Sequence, residues 1–217
     1  MEFTGVGTTN AVDGKIDGVG TFQGGIYKTL KIDGVCTING DIEAESIKVN
    51  GVCTCIGNII AESFDCDGVL TVEGNLRAGE IEIDGVVTVN GKKIEADRID
   101  CDGVLSTEGE ISADFIKADG RLNAEEIVGD HIIIKSYWSN GAKGLLLLLG
   151  EKMREKWNSK ISTIGLIEGT TVELRGVRAR SVNGQNVNIG KNCDIGIVDA
   201  SRELIVHPTS IVAQVVN

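Results

Sequence analysis

The sequence predicts an all-β protein built as a parallel β-helix, a solenoid of stacked coils. The first observation is a phrase, Ile32-Asp33-Gly34-Val35, that returns with variation along the chain. Its first glycine falls at a step of 17 residues with one step of 18, at positions 34, 51, 68, 85, 103 and 120. A fixed short period of this kind is typical of solenoids, so we expect about 17 residues in each coil.

The second observation is the alternation of apolar and polar residues inside each unit. One apolar column contains Ile42, Ile59, Leu76, Ile94 and Ile111, and another contains Ile47, Phe64, Ile81, Ile99 and Ile116. Apolar residues at every second position predict strands that bury one face. The third observation is that each unit carries two glycines and many β-branched residues, a composition that disfavours helices. Each coil is therefore predicted to contain three short strands joined by tight corners.

The chain divides into three predicted parts. Residues 1–135 form the N-terminal coils, residues 136–160 form an insertion and residues 161–217 continue the β-helix. Residues 1–31 are predicted to be a degenerate first coil or two, and residues 1–13 are either a tail or a capping strand. In the last part we expect Val172, Ile189 and Val206 to stack with the same step of 17.

The insertion interrupts the alternation and contains both tryptophans of the chain. Its apolar residues have a spacing that predicts a short amphipathic helix, and its five consecutive leucines are too few for a bilayer span of about 20 residues. One interpretation is an interfacial membrane anchor or partner contact, and the other is a helix that covers one side or edge of the β-helix. The candidate contact residues are Trp138, Leu145, Leu146, Leu149, Met153 and Trp157.

Composition restricts the partners and the compartment. A net charge of −11 argues against nucleic acid, because phosphate binding needs a basic surface. The N-terminal residues have neither the basic region nor the apolar run of a secretion signal. We therefore expect a cytoplasmic protein whose six cysteines are reduced thiols.

Two columns suggest metal sites and have simpler explanations. Cys36, Cys53 and Cys55 share one strand face, either as a thiolate site or as buried thiols that act as small apolar side chains. A column of acids and amides is either a calcium ladder or a set of corners that need positive φ, and it contains Asp33, Asn50, Asp67, Asp84, Asp102 and Asp119. The simpler explanation is favoured in both cases, so we expect no metal and no cofactor.

One pair of neighbouring columns is apolar at both positions. In each coil a valine precedes a second apolar residue, so one of the two must point outward if the segment is a strand. Either the solenoid carries an outer apolar stripe that fits a partner, or a corner turns both columns inward. The valines are Val35, Val52, Val69, Val86 and Val104, and they precede Cys36, Cys53, Leu70, Val87 and Leu105.

No enzyme class fits the pattern. Left-handed β-helix acyltransferases repeat six residues and use a histidine base, but here the period is 17 residues and His131 and His207 have no patterned partners. Polysaccharide lyases and hydrolases need long loops that build a cleft, and these corners are too short. We expect a protein that is not an enzyme.

The coil phrase over residues 32–118, the leucine-rich basic insertion and the closing pattern from Val182 to Ile195 together resemble the bactofilins, the bacterial polymer-forming cytoskeletal proteins. The resemblance covers the chain from about Ile16 onward. It implies a right-handed β-helix that polymerises end to end without nucleotide. It also implies cytoplasmic filaments, often close to the membrane, that act as a scaffold in cell shape, envelope or motility functions.

The ends of a β-helix expose unpaired backbone groups and a cross-section of the core, which favours pairing with another copy. The predicted polymer contacts are Ile16, Phe22, Leu204, Val206, Ile211, Val212 and Val215. The partner would be the protein itself, with a membrane surface or envelope protein as a further partner. The alternative function is a monomeric adaptor that docks a partner or a membrane through residues 136–160.

Overall fold

The computed structural model describes residues 12–136 and 161–216, which form sixteen strands in one continuous sheet. The strands are β1 (Val12–Ile16), β2 (Val19–Ile32), β3 (Val35–Val49), β4 (Val52–Ile56), β5 (Ile59–Cys66), β6 (Val69–Val72), β7 (Leu76–Ile83), β8 (Val86–Val89), β9 (Lys93–Cys101), β10 (Val104–Thr107), β11 (Glu110–Ala118), β12 (Arg121–Lys135), β13 (Ser162–Arg175), β14 (Val177–Ile189), β15 (Asp194–Val206) and β16 (Ile211–Val216).

The pairing is parallel throughout, and each regular coil contributes to three ladders. In one pair of neighbouring coils, residues 35–39 pair with 52–56, residues 42–44 with 59–61 and residues 46–49 with 63–66. The described part of the chain is thus a parallel β-solenoid of about 11 turns. The predicted all-β solenoid with a step of about 17 residues is confirmed.

Columns of aliphatic side chains fill the interior, because every second residue of each strand points inward. The longest column joins residues that are all buried: Ile42, Ile59, Leu76, Ile94, Ile111, Ile127, Ile167, Val182 and Val198. Full burial of each such side chain contributes about 1.5–3 kcal/mol to folding. The core is therefore one narrow cylinder that runs along the whole stack.

The single step of 18 is absorbed at a corner. Leu76 pairs with Ile94, and the extra residue lies just before Ile94. The backbone N–H groups of Lys92 and Lys93 both donate to Oδ1 of Asn75, each at 3.0 Å. The amide side chain of the coil below therefore satisfies the additional backbone donor.

The solenoid resumes after the insertion, as expected, and the ladder is continuous across it. Asn123 pairs with Thr163, and Ile132 pairs with Val172. The expected step of 17 between Val172 and Ile189 is wrong, because Val172 pairs with Val187 and the step there is 15 residues. A shift of two residues leaves the same side chains facing inward, so alternation alone does not reveal it. Ile189 does stack beneath Val206.

The repeated corner glycines are explained by close packing between coils, and our expectation of positive φ is wrong for this column. Among the described glycines only Gly25, Gly40 and Gly176 have φ in the left-handed region or next to it. A Cβ on the column glycines would instead lie 2.0–2.1 Å from the carbonyl oxygen of the glycine one coil below. The column consists of Gly34, Gly51, Gly68, Gly85, Gly103 and Gly120.

The apolar column next to these glycines points outward. We call Val19, Val35, Val52, Val69, Val86 and Val104 the valine row, because each pairs with the next. The neighbouring residues, such as Leu70 and Val87, belong to the core cluster, whereas Val69 and Val86 do not. Of the two interpretations, the outer apolar stripe is the one found.

The predicted helix of the insertion, with Trp138, Leu145, Leu146, Leu149, Met153 and Trp157, lies outside the described residues. No helix within residues 12–136 and 161–216 is long and apolar enough to cross a membrane.

Candidate functional site

The C-terminal end of the solenoid presents a strand edge without charged residues. β16 reads Ile-Val-Ala-Gln-Val-Val and is the last strand of the sheet, paired on one side with β15. Val212 pairs with Ile195 and Val215 pairs with Val198, so both valines continue core columns. Soluble proteins usually protect an edge of this kind with charge, proline or a bulge. β16 has no charge and no proline.

β16 covers only part of the strand beneath it. It pairs with residues 194–199 of β15, and no strand in the described part of the chain pairs with residues 200–206 from above. Leu204 and Val206 lie in this uncovered stretch and close two further core columns, in which they pair with Val187 and Ile189. The end face therefore combines open backbone groups with the exposed cross-section of the core.

The N-terminal end is less open and carries charge. β1 pairs with β2, and its Ile16 is buried on Ile32. Lys15 of β1 forms an ion pair with Asp17 at 2.9 Å. Phe22 is partly buried against the core. The two end faces thus differ in polarity, and the C-terminal face is the more apolar of the two.

The predicted polymer contacts all lie in the terminal coils, at two separate ends of the solenoid. Ile16 and Phe22 are at the N-terminal end, and the other five predicted residues are at the C-terminal end. Ile211 differs from the rest because it pairs with Asp194, an exposed position, and so points to the flank.

Tyr27 is a component of the N-terminal end that the sequence analysis missed. It pairs with Ala44 and is partly buried against the core. An aromatic residue in a column that otherwise contains alanine was the signal that could have identified it. Its ring fills space that the narrow alanine column leaves open above the first coils.

The cysteines are buried among the aliphatic columns. Cys36 stacks on Cys53 with 2.7 Å between the Sγ atoms, and all six cysteines of the chain are free and buried. Burial raises the pKa of the Cys55 thiol to about 11 and that of Cys66 to about 12. Burial also raises the pKa of the Cys53 thiol. A thiolate is the reactive and metal-binding form, so these residues are poor nucleophiles at neutral pH.

We expect native protein at pH 8 to resist alkylation by iodoacetamide at Cys55 and Cys66, because little thiolate is present below the raised pKa values. Mass spectrometry after a short exposure would measure the adducts, and the urea-unfolded chain, which should modify at all six cysteines, is the control. Rapid modification of the folded chain would show that the coils open readily.

The acidic column forms hydrogen bonds between coils. The Asn50 side-chain amide donates to Asp33 Oδ1 at 2.6 Å. Burial, followed by the charges of Asp102 and Asp67, raises the pKa of the Asp84 carboxyl. Within residues 12–136 and 161–216 no group of three or more histidine, cysteine or carboxylate side chains is arranged to hold a metal ion.

Comparison with known proteins gives no relative. No protein-family model matches the chain, and no curated protein or solved structure is significantly similar to it.

Proposed function

We propose that this protein is a self-polymerising scaffold of the bactofilin type, whose copies join end to end without nucleotide to form a filament. The observation that supports the proposal most strongly is the C-terminal end face. There an uncharged edge strand and the exposed end of the core lie side by side. An edge with these properties pairs with another chain unless something covers it.

The flanks of the solenoid are less suited to self-association than its ends. They carry rows of charged side chains that pair between coils, as Lys117 does with Asp100 and Asp119, each at 3.3 Å. Their backbone groups are already used in the ladders. Joining at the ends buries apolar surface and satisfies free strand edges, so the same parallel sheet would extend from one copy to the next.

We expect Val215→Lys to abolish filaments that the unsubstituted protein forms in buffer without nucleotide. Val215 continues a core column at the end face, so a charge there would have to lose its water when two copies join. Negative-stain electron microscopy and size-exclusion chromatography would measure assembly. Val35→Lys is the matched control, because Val35 is 50% exposed and Val215 48% exposed, yet Val35 lies on the flank.

Filaments of unchanged length in the Val215→Lys variant would remove β16 from the proposed contact. Single particles of the unsubstituted protein at every concentration would contradict the scaffold function itself and would favour the monomeric adaptor. Loss of filaments in both lysine variants would show that the effect of the charge is not specific to the end face.

A further inference from the structure

The valine row changes from exposed to buried along the solenoid, although its members occupy equivalent positions. Val19 is 86% exposed and Val35 50% exposed, and Val52 is half-buried. Val69, Val86 and Val104 are 6%, 1% and 7% exposed. Arg121, which pairs with Val104 at the end of the row, is 6% exposed.

The core cannot account for this burial. Equivalent positions of a regular solenoid have similar surroundings in every coil, and the valine row points away from the core. Val69, Val86 and Val104 are buried without belonging to the core cluster. Another part of the chain must therefore lie over the second half of the row.

The direction of the gradient indicates which part. Residues 1–11 join the solenoid at Val12, next to the exposed end of the row, and would cover Val19 first. Residues 137–160 rejoin it at Ile161, one residue before Ser162. The Ser162 hydroxyl accepts a hydrogen bond from the backbone N–H of Leu122 at 3.0 Å, and Leu122 follows Arg121. The buried end of the row is thus the end at which residues 137–160 begin and finish.

We propose that the row from Val69 to Val104 is a docking surface for residues 137–160 of the same chain. The distance is within reach, because Arg121 and Val69 are three coils apart, about 15 Å at the spacing of paired strands. Half of the 24 residues, fully extended, would span about 40 Å.

The composition of the two partners is complementary. Residues 145–149 are five leucines, and both tryptophans of the chain are in the same segment. The row offers a continuous aliphatic surface of the kind that such side chains cover in water. Docking on the row would occupy these leucines within the chain and would leave them unavailable to a bilayer. The inference does not depend on polymerisation.

Tryptophan fluorescence tests the proposal directly, because Trp138 and Trp157 are the only tryptophans of the chain. Val86→Asp would place a charge in the docking surface, whereas Val35→Asp places the same charge at an exposed member of the same row. We expect Val86→Asp to shift the emission maximum towards that of the urea-unfolded chain and to increase quenching by acrylamide. Val35→Asp should leave both unchanged.

Circular dichroism must show that the coils of each variant remain folded. If Val86→Asp does not fold, Val104→Ser gives a milder change with the same expected direction. The proposal is overturned if the unsubstituted protein already emits like the unfolded chain, or if Val35→Asp and Val86→Asp behave alike. A shift that appears only on dilution of the unsubstituted protein would assign the surface to a second copy and would also overturn it.

Discussion

Gly85→Ala is expected to lower the free energy of unfolding by about 3 kcal/mol, at the upper end of the usual cost of overpacking. The new Cβ would lie 2.0 Å from the carbonyl oxygen of Gly68 and 2.7 Å from the carbonyl carbon of Asp67. Both are backbone atoms, and the Gly68 oxygen accepts a hydrogen bond from the N–H of Val86 at 2.8 Å. The clash is therefore relieved only by separating two coils, which weakens the ladder between them.

Gly18→Ala is the matched control, because Gly18 occupies the same column in the first coil and a Cβ added there would meet no atom within 4 Å. Urea unfolding followed by circular dichroism would measure both variants. Equal unfolding midpoints for the two variants would contradict the explanation of this column by close packing between coils. They would leave the repeated glycines without a physical reason.

Phe64→Ala is expected to destabilise the protein by about 3–5 kcal/mol, the usual cost of removing a buried phenylalanine side chain. Phe64 is fully buried and is the only aromatic member of its column, where it pairs with Ile47 below and Ile81 above. Coils held by continuous ladders on three sides have little freedom to close around the missing ring. A cavity should therefore remain, and thermal or urea unfolding would measure its cost.

Phe115→Ala is the comparison, because Phe115 lies on the outer side of its strand. Its ring is half-buried and stacks under the Arg98 guanidinium, with 4.4 Å between the carbon of that group and the ring centroid. We expect a loss of about 1 kcal/mol or less, as for an exposed cation–π contact. A loss as large as that of Phe64→Ala would show that the outer face contributes to stability as much as the core does.

The sequence was sufficient to predict the solenoid because its period is written in the residues that face inward. Ile42, Ile59 and Leu76 recur at the step of the coil, and burial of that column leaves few other arrangements. The register after the insertion was harder to predict. Val172 pairs with Val187 through a shorter coil, and a slip of two residues keeps the inward pattern.

The parts that sequence reasoning missed depend on contacts between coils. The glycine column is needed because of the approach of one backbone to the next, a distance that no single coil contains. The outward direction of the valine row and the place of Tyr27 above the first coils are likewise properties of the stack. The candidate end faces could be predicted, since any β-helix has two. Their difference in charge could only be seen once β16 was identified as the last strand.

The continuity of the ladder between β12 and β13 has a consequence for protein engineering. The Ser136 and Ser162 hydroxyl oxygens are 2.6 Å apart, so the chain leaves and re-enters the stack at almost the same point. Closing a loop there costs only about 0.6 kcal/mol more for each doubling of its length. This site is thus a graft point at which a foreign peptide or a whole cargo domain could be displayed on the side of the rod while the register of the coils on either side stays intact.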